Sequence, residues 1–538
     1  MAAGADTPAA PRATGGGAWP VALALLALTV FQLGAAPLFD VDEGAFSEAT
    51  REMLASGDWL HTTLNGEDRF DKPIGVYWLQ ALSVSLLGLN EFALRLPSAL
   101  CAWGWAMAVW AFARPRLGER TATSAALMLV TSLGVVAIGR AATADALLNF
   151  LLVLATFDGW RWLDSGAKAP LRRAFAWMGL GLLAKGPVAV LVPVSAVGLW
   201  LLSQGDWRAL GRRLVAAVTD LPAWALLVGI AAPWYAYALH RHGQAFIDGF
   251  FVRHNLSRYT GTLEQHGGSA GYYLVVLPLL LLPWAPLLVG VARQCLAHWR
   301  DPLGRFLLGW GLFVLVFFSL SGTKLPHYVL YGATPFVLLM AMALERAGSA
   351  MRWAVALAGV VLLAAVAVPA WTLPQWVDAV KHPMYRALLG GADAPVALAV
   401  AASVGALVVL ALAAVPGAWR ERLGGPASSL AGGAVVALVL LGFALPWWGT
   451  LVQGPVRDAA RVARGLPEPA VQWKLHQPSF AVYRQQPTPR RAPQPGELAL
   501  IRTDHLARLP ADPAGGYDTV FEKNGISLIR WHGAAAAR

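Results

Sequence analysis

Apolar runs of about 17–25 residues recur along most of the chain, separated by short polar joints. That is the length a helix needs to cross the hydrocarbon core of a bilayer. Spans are expected near 19–38, 93–113, 121–139, 142–160, 174–186, 187–203, 221–239, 271–292, 304–321, 327–345, 351–371, 394–416 and 430–450. Residues 73–89 form one further apolar stretch, bordered by a dense cluster of charge. From about 454 the pattern changes. Hydrophobicity falls, Pro and Arg rise, and short alternating stretches appear, among them SFAVYRQQ, ELALIRT and YDTVFEKNGISLIRW. The KNG inside the last is a hairpin signal.

Arg and Lys set the orientation. Arg114, Arg116 and Arg120 form one basic joint, and Arg161, Lys168, Arg172 and Arg173 the next. Arg208, Arg212 and Arg213, then Arg293, Arg300 and Arg305, Arg346 with Arg352, and Arg420 with Arg422 continue the series. Basic joints belong on the cytoplasmic side. With residues 1–18 as a disordered cytoplasmic tail, residues 40–72 then lie outside. An odd number of crossings must join 72 to the joint at 114, so 73–89 is expected to be interfacial or re-entrant. The count becomes thirteen spans. Asp145, Lys185, the 240–270 loop and Lys324 share the outer face with 40–72, and residues 454–538 form a small α/β domain there.

The 538 residues are 57% hydrophobic and 14% charged, and the mean hydropathy is +0.53. A soluble fold of this size would need more polar surface. The net charge of +11 sits mostly in the cytoplasmic joints, so topology accounts for it and a nucleic-acid partner is excluded. The 24 Trp fit interfacial belts. Cys101 and Cys295 suggest no disulfide or Cys-based metal site.

Nine carboxylates crowd 40–72, against Arg51, Arg69 and Lys72. Phe46, Ala49, Met53 and Leu54 fall at helical spacing, with Glu48, Arg51 and Glu52 opposite, so an amphipathic helix on the membrane surface is expected, with Asp42 capping it. Asp42 and Glu43 follow the first span directly, where paired carboxylates can serve as a base or anchor a sugar. Asp145 opens a span after GRAATAD, as a cap, as a partner of Arg140, or as part of a site. Lys185 in LLAKGP and Lys324 in SGTKLPHY end spans on the outer face. A lysine there commonly snorkels to headgroups. With Arg258 in RHNLSRY, the two could instead clamp a phosphate. His254, His266 and His327 lie on the same side, without a helical His pair. The absence of charge at mid-span disfavours an ion-coupled transporter.

DVDEGAFSEATREMLASGDWL, NGEDRFDKPIGVYWLQALSVSLLGLNEFALRLPSAL, RAATADALL, LLAKGP, HNLSRYTG, EQHGG and SGTKLPHYVLYGATP together resemble the aminoarabinose (lipid A) transferase and protein-mannosyltransferase-like family of the glycosyltransferase C (GT-C) superfamily. The resemblance covers most of residues 20–345. It implies a thirteen-span bacterial inner-membrane enzyme with a polyprenyl (undecaprenyl) phosphate sugar as donor. The acceptor would be lipid A, a glycan or a protein, and the site and C-terminal domain would face the periplasm. Asp42, Glu43 and Asp145 would be catalytic. Lys72, Lys185, Arg258, Lys324 and Tyr328 would hold the donor phosphate, and Asp71 with His254 a divalent metal, with no nucleotide cofactor. Two departures stand out. Ala45-Phe46 replaces an Arg-Tyr pair, and Asn255 stands where aminoarabinose transferases carry a His. The rival readings are a lipid-linked-sugar flippase without bond chemistry and an assembly factor that binds envelope polymers.

Overall fold

The computed structural model describes residues 18–261, 267–416, 426–506 and 516–533, without the side chains of Asn255, Leu256, Arg258 and Thr260. The N-terminal tail, His266, Arg420, Arg422 and the Arg258 side chain lie outside the described residues. The chain starts with helices α1 (Ala18–Val30), α2 (Asp42–Ser56), α3 (Gly75–Leu87), α4 (Glu91–Leu117), α5 (Glu119–Thr131) and α6 (Leu133–Gly139). It continues through α7 (Asp145–Ser165), α8 (Lys168–Lys185), α9 (Val188–Ser203), α10 (Trp207–Val218) and α11 (Leu221–His242). Among the described residues, eight helices are long and apolar enough to cross a membrane, or nine if α5 and α6, bent by 65°, count as one span. Every expected span coincides with helix. The one over 271–292 is two short pieces, Tyr272–Leu280 and Leu287–Arg293. Helix Pro326–Glu345 is 83% buried over its most apolar stretch and is central, whereas Val396–Ala414, at 22%, is peripheral and faces lipid.

Helix ends follow local chemistry. At the start of α4 the Asn90 side chain accepts from Ala93 N at 2.9 Å, and Arg114 and Arg116 sit in its last turn against the negative end of the dipole. The α3 helix, like α1, has 13 described residues and is about 20 Å long. It buries Tyr77, Gln80 and Ala81 and exposes Leu82, Leu86 and Leu87, as an interfacial helix does. The first span is shorter than expected. It ends at Val30, and the chain turns where Gly34 packs against Phe92.

One buried pair organises that turn. Arg95 spends all five donors. Its Nε and Nη2 grip the Glu43 carboxylate at 2.8 and 2.7 Å, and its remaining N–H groups reach the carbonyls of Leu33, Ala36 and Pro37 at 2.7–3.2 Å. Glu43 also accepts from Phe39 N at 2.8 Å and from Ala142 N at 2.7 Å. It thus joins the loop after α1 to the turn that begins α7.

The α2 helix differs from its expected place on the membrane surface. Glu48 and Ser47 are fully buried and Glu52 is 7% exposed. Helix Ser479–Arg484 lies over the face expected to be wet; its SFAVYR had been read as an alternating stretch. Val41 is the N-cap residue and makes no side-chain cap bond, so Asp42 is not the cap. Trp105, Trp284 and Trp310 are also not in a belt. They are wholly buried, and each indole N–H reaches an oxygen, on Thr334, Thr131 and Tyr331 respectively.

Strands β1 (Thr63–Leu64) and β2 (Glu67–Asp68) make a small ribbon in the first loop. At the C-terminus β3 (Ala470–Gln472), β4 (Leu498–Arg502), β5 (Tyr517–Lys523) and β6 (Ile526–Trp531) form a sheet in the order β3-β4-β6-β5. β3 and β4 are parallel and the remaining pairs antiparallel. The expected hairpin turns at Asn524-Gly525, both at positive φ. One face of the sheet packs on Val456, Ala459, Ala460 and Ala463 of helix Leu445–Arg464, which runs without a break through the expected boundary at 454. The C-terminal module clasps the first loop. The Asp40 carboxylate accepts from Ser479 N at 2.9 Å and from its hydroxyl, Tyr483 Oη accepts from Leu38 N at 2.8 Å, and Thr488 N donates to Asn65 at 2.8 Å.

Arg95→Met should leave Glu43 buried and unpaired, at a cost of about 3–5 kcal/mol, read as a lowered melting temperature of the detergent-solubilised protein. Burial raises the Asp40 carboxyl to about 7, against its ordinary 3.8. A raised acid stabilises the fold below its unfolded value, and that contribution fades as pH climbs through the folded one. Melting temperature should therefore fall as pH rises from the ordinary 3.8 to about 7 and level off above that, and Asp40→Asn should flatten that dependence.

Candidate active site

Lys185 is the last residue of α8. Gly186, at φ +90° and ψ −149°, ends the helix, and Pro187 precedes α9. That break aims the ammonium at Asp145, the first residue of α7, with which it forms a buried ion pair. His327 Nε2 lies 3.4 Å from the same Nζ, which also sits 5.6 and 5.7 Å from the ring centres of Tyr328 and Tyr331. The segment 69–72 is brought alongside by α3. Gly75 packs so tightly that a Cβ there would stand 2.8 Å from Leu183 O.

Two cavities meet at this point. A polar one of about 1190 Å³ lies between the first loop, the start of α7 and the C-terminal module. An apolar groove of about 470 Å³ runs down along Val188, Leu191, Phe251, Phe317, Phe318 and Tyr331. Asp71, Lys72, Lys185 and His254 line both, so the neck between them is charged.

Asp42 lines the polar cavity, is exposed to it and has no hydrogen-bond partner among the described residues. Glu43, its neighbour, is not brought there. Its oxygens are filled by Arg95 and two backbone N–H groups, which gives it a scaffold place instead of the expected catalytic one. Lys72 lies at the neck, its Nζ donating to Asp71 O at 2.9 Å. Tyr328 lines the groove. Lys324 lines neither cavity. It is 7% exposed and its ammonium donates to Ser321 O at 2.6 Å, which removes it from the phosphate clamp. Asp71 and His254 are in contact with each other, Oδ1 to Nε2 at 2.7 Å, and the other carboxylate oxygen meets Arg69 at 3.0 Å. No third metal-ligand side chain joins them among the described residues, so they form an ion pair rather than a chelating set. Burial would raise the Asp71 carboxyl, but His254, Arg69 and Lys72 outweigh it and hold the group well below the usual range.

Sequence reasoning passed over Arg69. Its guanidinium lies 5.5 Å from the Phe46 ring centre, donates to Tyr77 Oη at 3.2 Å and lines the polar cavity. A cation and a hydroxyl thus stand beside Phe46 after all, supplied by another segment. The signal was Arg69's position two residues before Asp71. The C-terminal module adds Lys474, His476 and Arg490 to the wall, which no local pattern foretold. Burial, with Arg490 and Arg69 nearby, pushes the His476 imidazole down to about 4, so it is neutral at pH 7.

A charged neck with a hydrocarbon-lined groove on one side and a sugar-sized polar space on the other suits a substrate with a phosphate between an apolar tail and a polar head.

The dolichyl-phosphate-mannose-protein mannosyltransferase family model matches residues 71–237. An undecaprenyl phosphate-alpha-4-amino-4-deoxy-L-arabinose arabinosyl transferase from Edwardsiella ictaluri is 32% identical over 320 residues, 57% of this chain and 56% of that protein. Its namesake from Pseudomonas aeruginosa PAO1 is 32% identical over 312 residues, 56% and 55% of the two. The chain thus spans little more than half the length of these curated relatives. ArnT from Cupriavidus metallidurans, in a crystal structure bound to undecaprenyl phosphate, superposes with a TM-score of 0.77 at 22% identity, covering 96% of this chain and 98% of that one. At that identity the likeness is one of fold. Sequence motifs, relatives and fold point the same way: residues 71–237 match the dolichyl-phosphate-mannose-protein mannosyltransferase family model, and the chain is similar in part to the aminoarabinose transferases and in fold to ArnT.

Proposed function

We propose that this protein is an integral membrane glycosyltransferase that moves a sugar from a polyprenyl phosphate to an acceptor on the outer face of a bacterial inner membrane. One observation carries the reading: the polar cavity and the apolar groove share Asp71, Lys72, Lys185 and His254. The polyprenyl tail would lie in the groove, the phosphate at the neck and the sugar in the cavity. The relatives' names point to undecaprenyl phosphate and aminoarabinose, and lipid A suits the cationic wall at Lys474 and Arg490. Thirteen crossings, with the cavity and the C-terminal module on the periplasmic side, fit the distribution of Arg and Lys. Residues 1–18 would be the cytoplasmic tail, 19–453 the transferase domain and 454–538 the periplasmic module.

The reaction is a single displacement with inversion. An acceptor oxygen attacks the anomeric carbon, and the bond from that carbon to the phosphate oxygen breaks. Polyprenyl phosphate leaves with the electron pair. Lys72 and Lys185, with Tyr328 alongside, stabilise the charge that grows on the leaving phosphate. Asp145 positions Lys185. Asp42 orients the acceptor and takes its proton when the acceptor is a hydroxyl. A phosphate acceptor is already ionised and needs no base. Asp71 and His254 act as the ion pair that borders Lys72, and the scheme calls on no nucleotide.

A flippase would need a polar route through the bilayer, whereas the polar cavity lies at one end of α7 and α8, where Asp145 and Lys185 meet. Purified protein incubated with a labelled polyprenyl-phosphate sugar distinguishes the readings: release of polyprenyl phosphate requires an enzyme, and its absence leaves transport or assembly. Lys185→Ala should lower kcat by about 10²–10³-fold, as loss of one transition-state cation or donor does. Asp42→Asn should slow transfer to a hydroxyl acceptor by about 10²–10⁴-fold, and near-normal turnover would take Asp42 out of the base role.

A further inference from the structure

Away from the neck, at the rim of the polar cavity, three side chains from two distant parts of the chain converge. His61 lies in the loop after α2, Asp68 on β2, and His242 is the last residue of α11. His61 Nε2 is 3.0 Å from Asp68 Oδ1 and His242 Nδ1 is 3.3 Å from Asp68 Oδ2. The two imidazoles stack with centres 4.7 Å apart, and the three ligand atoms all lie within 4.8 Å of one another.

Hydrogen bonding alone does not account for this arrangement. The His61 Nε2 atom is buried and has no hydrogen-bond partner, because its approach to Asp68 has the distance but not the angle. Both imidazoles are nearly enclosed, with side chains 12% and 10% exposed. Protonating both rings would set two cations face to face. The ligand atoms are also held firmly. Arg241 pairs with Asp58 at 2.5 Å, Trp234 donates to Leu60 O at 3.0 Å, and Phe70 packs edge-on to His242 at 5.0 Å.

We propose that His61 Nε2, His242 Nδ1 and the Asp68 carboxylate form a site for one zinc-class divalent cation. Two imidazoles and one carboxylate are a donor set such a cation prefers, and the carboxylate oxygens already stand 3.0 and 3.3 Å from the two ring nitrogens. Asp68 is half exposed and lines the polar cavity, so the fourth position faces that space and takes a water. The bound ion fastens the 57–68 loop to the end of α11, which sets the position of one cavity wall. It is separate from the Asp71–His254 pair at the neck.

The test uses the full-length protein in detergent, stripped with a chelator and titrated with Co²⁺. The expected result is one equivalent bound with the absorption of a tetrahedral site, displaced by Zn²⁺, together with a higher melting temperature. His61→Ala and His242→Ala should abolish the signal, and His254→Ala should keep it. Asp68→Asn, at a half-exposed position where folding is safe, should weaken binding by more than the about 10–100-fold that loss of an outer-shell partner costs. Absence of the tetrahedral spectrum, its persistence in His61→Ala, an unchanged affinity in Asp68→Asn, or its loss in His254→Ala alone would overturn the assignment. The last of these would move the ion to the neck.

Discussion

The buried pair of Arg95 and Glu43 is the constraint on which the site rests. Each partner is saturated. Five guanidinium donors meet the carboxylate and three backbone carbonyls, and the carboxylate in turn takes two backbone N–H groups. A charge pair taken out of water breaks even only when its remaining hydrogen-bonding capacity is met, and here it is. The loop after the first span, the start of α4 and the turn before α7 are therefore fixed to one another. Asp42 adjoins one end of that junction and Asp145 the other, so both reach the same cavity.

Around this junction the protein separates two solvents. Hydrocarbon-facing side chains line the groove, whereas carboxylates and cations line the cavity, and Lys185 stands where they meet. A lysine at that boundary, paired with Asp145 and placed over Tyr328 and Tyr331, is already desolvated and oriented. It needs little reorganisation when negative charge develops nearby, which is how preorganised electrostatics lowers a barrier. The C-terminal module closes the other side. Its contacts with Asp40, Leu38 and Asn65 place Lys474 and Arg490 opposite Asp42, so it serves as a wall of the site and not as an appendage.

That closure also explains the amphipathic helix at 42–56. A face carrying Glu48, Arg51 and Glu52 looks wet in sequence. In the fold, Arg51 binds Glu48 through two nitrogens at 2.6–2.8 Å, and helix Ser479–Arg484 lies over them. Paired opposite charges can be buried where single ones cannot, and pairing is invisible to a hydrophobic pattern.

Membrane insertion and the helical class were set by the sequence alone. A bilayer imposes a length and a polarity that each segment must satisfy by itself. The same locality made Asp42, Asp145 and Lys185 legible, since a charge at the end of an apolar run needs a reason to be there. Only the tertiary structure decided that Glu43 is scaffold, that Lys324 is buried against its own loop, and that Arg69 supplies the cation beside Phe46. It also decided that His61, Asp68 and His242 meet. Those outcomes depend on which distant backbone groups and side chains arrive as partners, and a buried polar atom takes its role from its partner.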